Sequence, residues 1–323
     1  MDRRTRAVLA GLALVVVFLC VQLGALALVE PFKAAGYQPV EDPENPANSL
    51  AYVVAILVIT ALLLGAIRLG LDRVLRAFIV GAGAYVALFV FQVVLPAPLP
   101  GIAGFHLVAL LAAAALGLAL WAYPEWYVVD AGGIVMGVGA AGLFGITFGV
   151  LPALLLLFVL AVYDAISVYG TEHMLALASG VMEMRVPIVL VVPLTLSYSF
   201  LDADLPDPAS DSDDGELEGP LERDALFIGL GDAIIPAVLV ASVGFFVRDV
   251  PGVELAGVVV SLPAAGAMLG TVIGLVVLLR MVFAGRAHAG LPLLNGGAIS
   301  GYFVGAVASG LSIAEAVGLP GLF

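Results

Sequence analysis

The feature that most limits what this chain can become is a repeated one: runs of about 20 apolar residues that recur along its whole length, separated by polar breaks. A run of that length crosses the roughly 30 Å hydrocarbon layer of a bilayer as an α-helix rising 1.5 Å per residue. The short alternating segments of a membrane β-barrel look different. With 63% hydrophobic and 11% charged residues and a mean hydropathy of +1.17, the chain is expected to be an all-α polytopic membrane protein, a multi-pass protein of the cell membrane.

Nine spans are read. The first six cover about residues 7–29, 50–67, 74–95, 101–122, 127–148 and 151–170, and the last three about 225–246, 255–279 and 291–313. Ala25, Leu26 and Ala27 imitate a signal-peptidase site, but the apolar run around them exceeds an ordinary h-region, so the first helix is read as retained. The organisation is therefore residues 1–170 with spans one to six, a connecting segment 171–224, and residues 225–323 with spans seven to nine. Trp121, Tyr123, Trp126 and Tyr127 cluster as interfacial anchors between the fourth and fifth spans. The fifth span is crowded with glycines and is expected in the bundle interior; Gly266, Gly270 and Gly274 form a small-residue packing stripe on the eighth.

The charges test this count. With the N-terminus cytoplasmic, 10 of the 12 basic residues fall inside and two, Lys33 and Arg248, fall outside. That is the positive-inside pattern, and it puts the C-terminus on the extracytoplasmic side. Of 25 carboxylates, 15 fall inside and seven outside, leaving only Asp130, Asp164 and Asp232 within spans.

An ionised carboxylate in hydrocarbon costs several kcal/mol, so such a residue calls for a partner or a function. Asp164 lies near the inner end of the sixth span and Asp232 near the inner start of the seventh, each expected about 9–10 Å below the inner surface. Two carboxylates facing each other at one depth cannot both ionise readily; they would share a proton and titrate as a unit. That is the chemistry of an aspartic protease, with one carboxylate activating water and the other polarising a carbonyl.

Tyr163-Asp164 and Gly229-Leu230-Gly231-Asp232, on the sixth and seventh of nine spans, resemble the Tyr-Asp and Gly-x-Gly-Asp motifs of the presenilin and signal peptide peptidase family of intramembrane aspartyl proteases. Pro292-Leu293-Leu294 is similar to that family's Pro-Ala-Leu motif, departing at the middle residue. The orientation read from the charges resembles that of presenilin, and the compact chain without an Asn-x-Ser/Thr sequon resembles a prokaryotic, archaeal type. The resemblance implies catalytic Asp164 and Asp232, a site shaped by Tyr163, Gly229, Leu230 and Gly231, and substrate contacts at Pro292, Leu293 and Leu294. It implies an endopeptidase cutting the transmembrane helices of single-span proteins or signal-peptide remnants within the bilayer, without a cofactor.

Residues 171–184 are read as a short interfacial helix, and 185–196, with its β-branched run, as a strand or inner-surface hydrophobic segment. Residues 202–224 hold ten acids and one Arg and are expected to be disordered. Presenilins are cut in the corresponding loop during maturation, so the resemblance implies a self-cleavage or gating element where composition alone gives a solvated linker. Because a helical substrate must unwind to be cut, residues 185–196 or the backbone near Pro292–Leu294 are expected to pair with extended substrate.

Plainer readings stand beside these. The two aspartates also suit a proton relay, which makes a proton-coupled transporter the alternative function. No inverted repeat is evident, and carboxylates near one face do not suit the midplane site of many transporters. Tyr163 reads equally as a packed aromatic, Gly229 and Gly231 as close-packing residues, Asp130 as a structural interfacial acid, and His106 as a packed or hydrogen-bonded histidine. Three histidines and one cysteine form no ligand-spaced metal cluster, and without a basic patch no nucleic-acid partner is expected. A homo-oligomer is compatible with this reading, and accessory subunits are left open.

Overall fold

A computed structural model describes residues 3–171, 188–195, 198–202, 225–255, 257–284 and 289–318. The helices are α1 (Arg3–Ala34), α2 (Ala47–Arg68), α3 (Asp72–Val94), α4 (Leu107–Ala122), α5 (Trp126–Thr147), α6 (Val150–Ile166), α7 (Leu230–Phe246), α8 (Leu262–Phe283), α9 (Gly290–Ala308) and the short α10 (Ile313–Ala316). Seven of them are long and apolar enough to cross a membrane; α4 and α7, with 16 and 17 residues, are shorter apolar helices. The chain is thus a polytopic helical membrane protein, and the large apolar side chains exposed on α1, α2 and α3 are the surface a bilayer would cover.

Three expected spans begin later than the apolar pattern indicates, each for the same reason: strand of a two-stranded sheet takes the first residues. Strands β1 (Gly101–Ile102) and β2 (Phe105–His106) pair ahead of α4. Strands β5 (Gly252–Leu255) and β6 (Val258–Ser261) pair ahead of α8, turning at Gly257 with φ +80°. Strand β4 (Ala225–Gly229) precedes α7 and pairs antiparallel with β3 (Val189–Pro193), in the register Val189↔Gly229 to Pro193↔Ala225. Residues 171–184 and 202–224 lie almost entirely outside the described residues.

The ninth helix ends at Ala308 and not at residue 313, because Ser309 and Gly310 turn the chain into α10, with Gly310 at φ +89°. His106 is the N-cap of α4: its Nδ1 accepts from the Ala109 N–H at 3.0 Å, and its Nε2 lies 3.1 Å from the Gln92 carbonyl.

The main core lies where α1, α5, α6, α7, α8 and α9 meet, around Phe32, Phe148, Leu157, Leu239 and Tyr302. Glycines allow α5 to enter it. A Cβ at Gly145 would stand 2.4 Å from that of Ala241 on α7, and one at Gly139 would stand 2.7 Å from Val90 on α3. Helix α2 lies at the periphery, with Ser49 alone buried among its residues and its hydroxyl bonded to the Pro152 carbonyl at 2.6 Å.

Helices α8 and α9 pack backbone on backbone. Added Cβ atoms at Gly266, Gly270 and Gly274 would come within 2.0–2.3 Å of the carbonyls of Gly301, Gly297 and Leu293, so the expected stripe on α8 meets a matching one on α9. At the far end of the molecule, Arg248 pairs with Glu30, and both Arg248 and Lys33 lie over the Phe245 ring at 4.5 and 4.6 Å.

Candidate active site

Asp164 is buried in the last turn of α6, which continues into a π-helical segment, Ser167–Thr171. Asp232 is half-buried in the first turn of α7, two residues beyond the helix start. The seventh span, expected to be helical from about residue 225, becomes helix only at Leu230, because Ala225–Gly229 is strand. Four residues on stands Pro236. Lacking an N–H, it leaves the Asp232 carbonyl without the helical bond it would otherwise accept.

Both carboxylates converge on the first residues of α9. The Leu291 N–H, one of the donors a helix start cannot satisfy internally, donates to Asp164 Oδ2 at 3.0 Å. Gly290 lies against the other aspartate: a Cβ there would stand 3.0 Å from Asp232 Oδ2. One dipeptide, Gly290-Leu291, thus lies against both acids. The positive end of the α9 dipole faces them, which favours one negative charge on the pair.

Two further bonds run along the α6–α9 seam. The Ala289 N–H donates to the Tyr169 hydroxyl at 3.4 Å, and Asn295 Nδ2 donates to the Leu157 carbonyl at 2.9 Å. Asn295 is wholly buried, and among the described residues its Oδ1 has no partner.

The other residues singled out in the sequence fall around this point. Tyr163 is half-buried beside Asp164. Gly229 caps α7, where a Cβ would stand 3.6 Å from Asp232 Oδ2; Gly231 faces open space. Leu230 is buried against Gly133 and Gly137 of α5. Pro292 and Leu293 are half-buried, and Leu294 is fully buried in the cluster that also holds Leu190 and Leu230. The Pro292–Leu294 stretch is the first turn of α9, just past the dipeptide that lies against both acids.

The sequence reading assigned no site role to Gly290, Leu291, Asn295 or Asp130. Asp130 on α5 accepts the Val191 N–H of β3 at 2.7 Å. Its presence among the three intramembrane acids was the available signal; its partner, 61 residues away, carried none.

Two carboxylates held at one helix start can share a proton, hold water between them and polarise a peptide carbonyl. Comparison with known proteins agrees with that chemistry. Residues 15–311 match the family described as signal-peptide peptidase, presenilin aspartyl protease. A solved presenilin family intramembrane aspartate protease is 35% identical, with a TM-score of 0.64, over 92% of this chain and 99% of that one. A presenilin family intramembrane aspartate protease in a second crystal form is 34% identical, with a TM-score of 0.63, over 92% of this chain and 97% of that one. Among curated proteins none matches. With nearly all of its length matched, the chain belongs to the signal-peptide peptidase, presenilin aspartyl protease family.

Proposed function

We propose that Asp164 and Asp232 are the catalytic dyad with which this intramembrane aspartyl protease hydrolyses peptide bonds in transmembrane segments of its substrates. The observation that carries the assignment is the convergence of both carboxylates on Gly290-Leu291. Asp164, oriented by the Leu291 N–H, and Asp232, against Gly290, share one proton. The ionised partner takes a proton from water, and the protonated one donates to the scissile carbonyl as the tetrahedral centre forms. Nine spans, α1 to α9, with the N-terminus cytoplasmic, suit the charge distribution, α7 being completed at its inner end by β4. No observation favours transport.

The substrate must present extended backbone, and the sheet offers an edge for it. The Leu230 N–H donates to the Ile188 carbonyl at 2.8 Å, so the inward-bonding residues of the ladder are Leu190 and Val192 on β3, and Ile228 and Leu226 on β4. Val191 points outward on β3, and Asp130 takes its N–H. Phe227 and Gly229 point outward on β4, where no third strand pairs among the described residues. We place the substrate strand there, and not on residues 185–196, with Pro292–Leu294 flanking it.

Cleavage of a single-span reporter by purified protein in lipid tests the dyad. The wild type should cut, and Asp164→Ala and Asp232→Ala should each lose at least about 10²–10⁴-fold; variants that cut like wild type would refute the assignment. Phe227→Pro, which removes an outward N–H together with the ring packed near Phe200, should impair cleavage more than Phe227→Ala, which keeps the N–H; equal turnover of the two variants would exclude the β4 edge.

A further inference from the structure

Asp130 is the intramembrane acid that this mechanism does not use. A hydrophobic residue could fill its place without the cost of burying a polar group, so its one clear bond is the place to look for its role. That bond is to the backbone of β3, from Asp130 Oδ1 to the Val191 N–H at 2.7 Å. The same face of α5, at i, i+3 and i+7, is shaped to receive both β3 and the start of α7. A Cβ at Gly133 would meet Leu190 at 3.3 Å and Leu230 at 3.6 Å, and one at Gly137 would meet Leu230 at 3.5 Å. Leu230 is the first residue of α7, two before Asp232.

Below this face, Glu125, the N-cap residue of α5, accepts from the Ser199 hydroxyl at 2.6 Å and the Phe200 N–H at 2.9 Å. Helix α5 therefore grips the chain on both sides of 196–197, by two carboxylates five residues apart. A five-residue ladder that slips by one residue turns every side chain to the other face. A fixed bond to one outward N–H opposes that slip, and it also closes the β3 edge to a competing strand.

We propose that Asp130 is a positioning residue: it pins β3 to α5 and, through the β3–β4 ladder, sets the register in which β4 presents substrate to Asp164 and Asp232. This rests on the reading that those two aspartates are the dyad and that substrate adds to β4. The role asks for an acceptor at position 130 and a donor at Val191, and for nothing else.

The test reads product masses and the split of kcat and KM on the single-span reporter, with Asp232→Ala as the control for the dyad itself. Asp130→Ala should spread the cuts over neighbouring bonds and lower kcat/KM by roughly 10- to 100-fold, the cost of a misplaced substrate. Asp130→Asn, which keeps an acceptor, should restore the wild-type pattern. Val191→Pro leaves Asp130 in place and removes an outward N–H, a change an edge strand tolerates. It should reproduce the Asp130→Ala pattern, and the double variant should be no worse than either single one.

A folded Asp130→Ala or Val191→Pro protein that cuts at the wild-type bond with wild-type kcat/KM overturns the proposal. So does an Asp130→Asn variant as defective as Asp130→Ala. Should both disruptive variants fail to fold, amide exchange in the wild type decides: Val191 should be as protected as Leu190 and Val192, and exchange at the rate of an open edge overturns it. Loss of the dyad reading would show separately, as Asp232→Ala cutting like wild type.

Discussion

The two faces of α9 are built on opposite principles. Toward α8 the contact is backbone on backbone, with Gly266, Gly270 and Gly274 against Gly301, Gly297 and Leu293, and no room for a methyl group. Toward α6 it shares the apolar core around Leu157 and Tyr302 and adds three hydrogen bonds, Leu157 to Asn295, Asp164 to Leu291 and Tyr169 to Ala289, with one carbonyl oxygen left unpartnered among the described residues. The first face fixes where α9 is. The second carries the polar contacts by which the start of α9 addresses the acids. Stability and chemistry are thus separated on a single helix.

Substitutions on the two faces should divide accordingly. The largest effect is expected on the glycine face. Gly270→Ala would bring a Cβ to 2.0 Å from the Gly297 carbonyl, so the helices must part, at a cost of about 3 kcal/mol or more. Thermal unfolding in lipid or detergent measures this, and a wild-type Tm would break the comparison. Next comes Gly290→Ala on the polar side. Its Cβ would press Asp232 Oδ2 at 3.0 Å, and cleavage should fall about tenfold, or ~1.4 kcal/mol in barrier, with Tm unchanged.

Asn295→Ala loses one buried bond but also removes the unpartnered Oδ1, so the net stability loss should stay near about 1 kcal/mol. A loss as large as that of Gly270→Ala would show that the polar seam carries structure after all.

The smallest effect is expected beyond the far end of α9, in the exposed capping box of α10. There the Ser312 backbone N–H and hydroxyl hold the Glu315 carboxyl below its ordinary value. A depressed folded value means the contribution is present above the unfolded value of about 4.3 and is lost as pH falls through the folded one. The Tm difference between wild type and Glu315→Gln should therefore be seen at neutral pH and vanish in acid.

Much of this arrangement was legible in the sequence, and what was missed was missed for identifiable reasons. Runs of apolar residues locate helices well, and Asp164 and Asp232 stand out because hydrocarbon punishes charge. Ala225–Gly229 did not stand out, because a short, partly buried apolar strand that runs directly into a helix has the helix's composition and no period of its own to betray it. The stripe at Gly266, Gly270 and Gly274 was readable from its spacing; which carbonyls it meets was not. Gly290 and Leu291 matter through their backbone, which leaves no trace in residue type. Asp130 was visible as an intramembrane acid, yet its partner is a main-chain N–H that any non-proline residue would supply.

The missing bond between Pro236 and the Asp232 carbonyl has a mechanical consequence. Asp164 sits on a helix whose next segment is tied to α9, whereas Asp232 rides on a turn joined to the rest of α7 by one bond fewer, with open space beside Gly231. The pair is unequally compliant: one acid is the anvil, and the other adjusts to it. With these two acids as the proposed dyad, forces that bend α7, among them those exerted by the thickness of the surrounding lipid, would act as a control on its alignment. Cleavage rates across lipids of graded acyl length would register that control, and a flat profile would show that the soft turn does not transmit it.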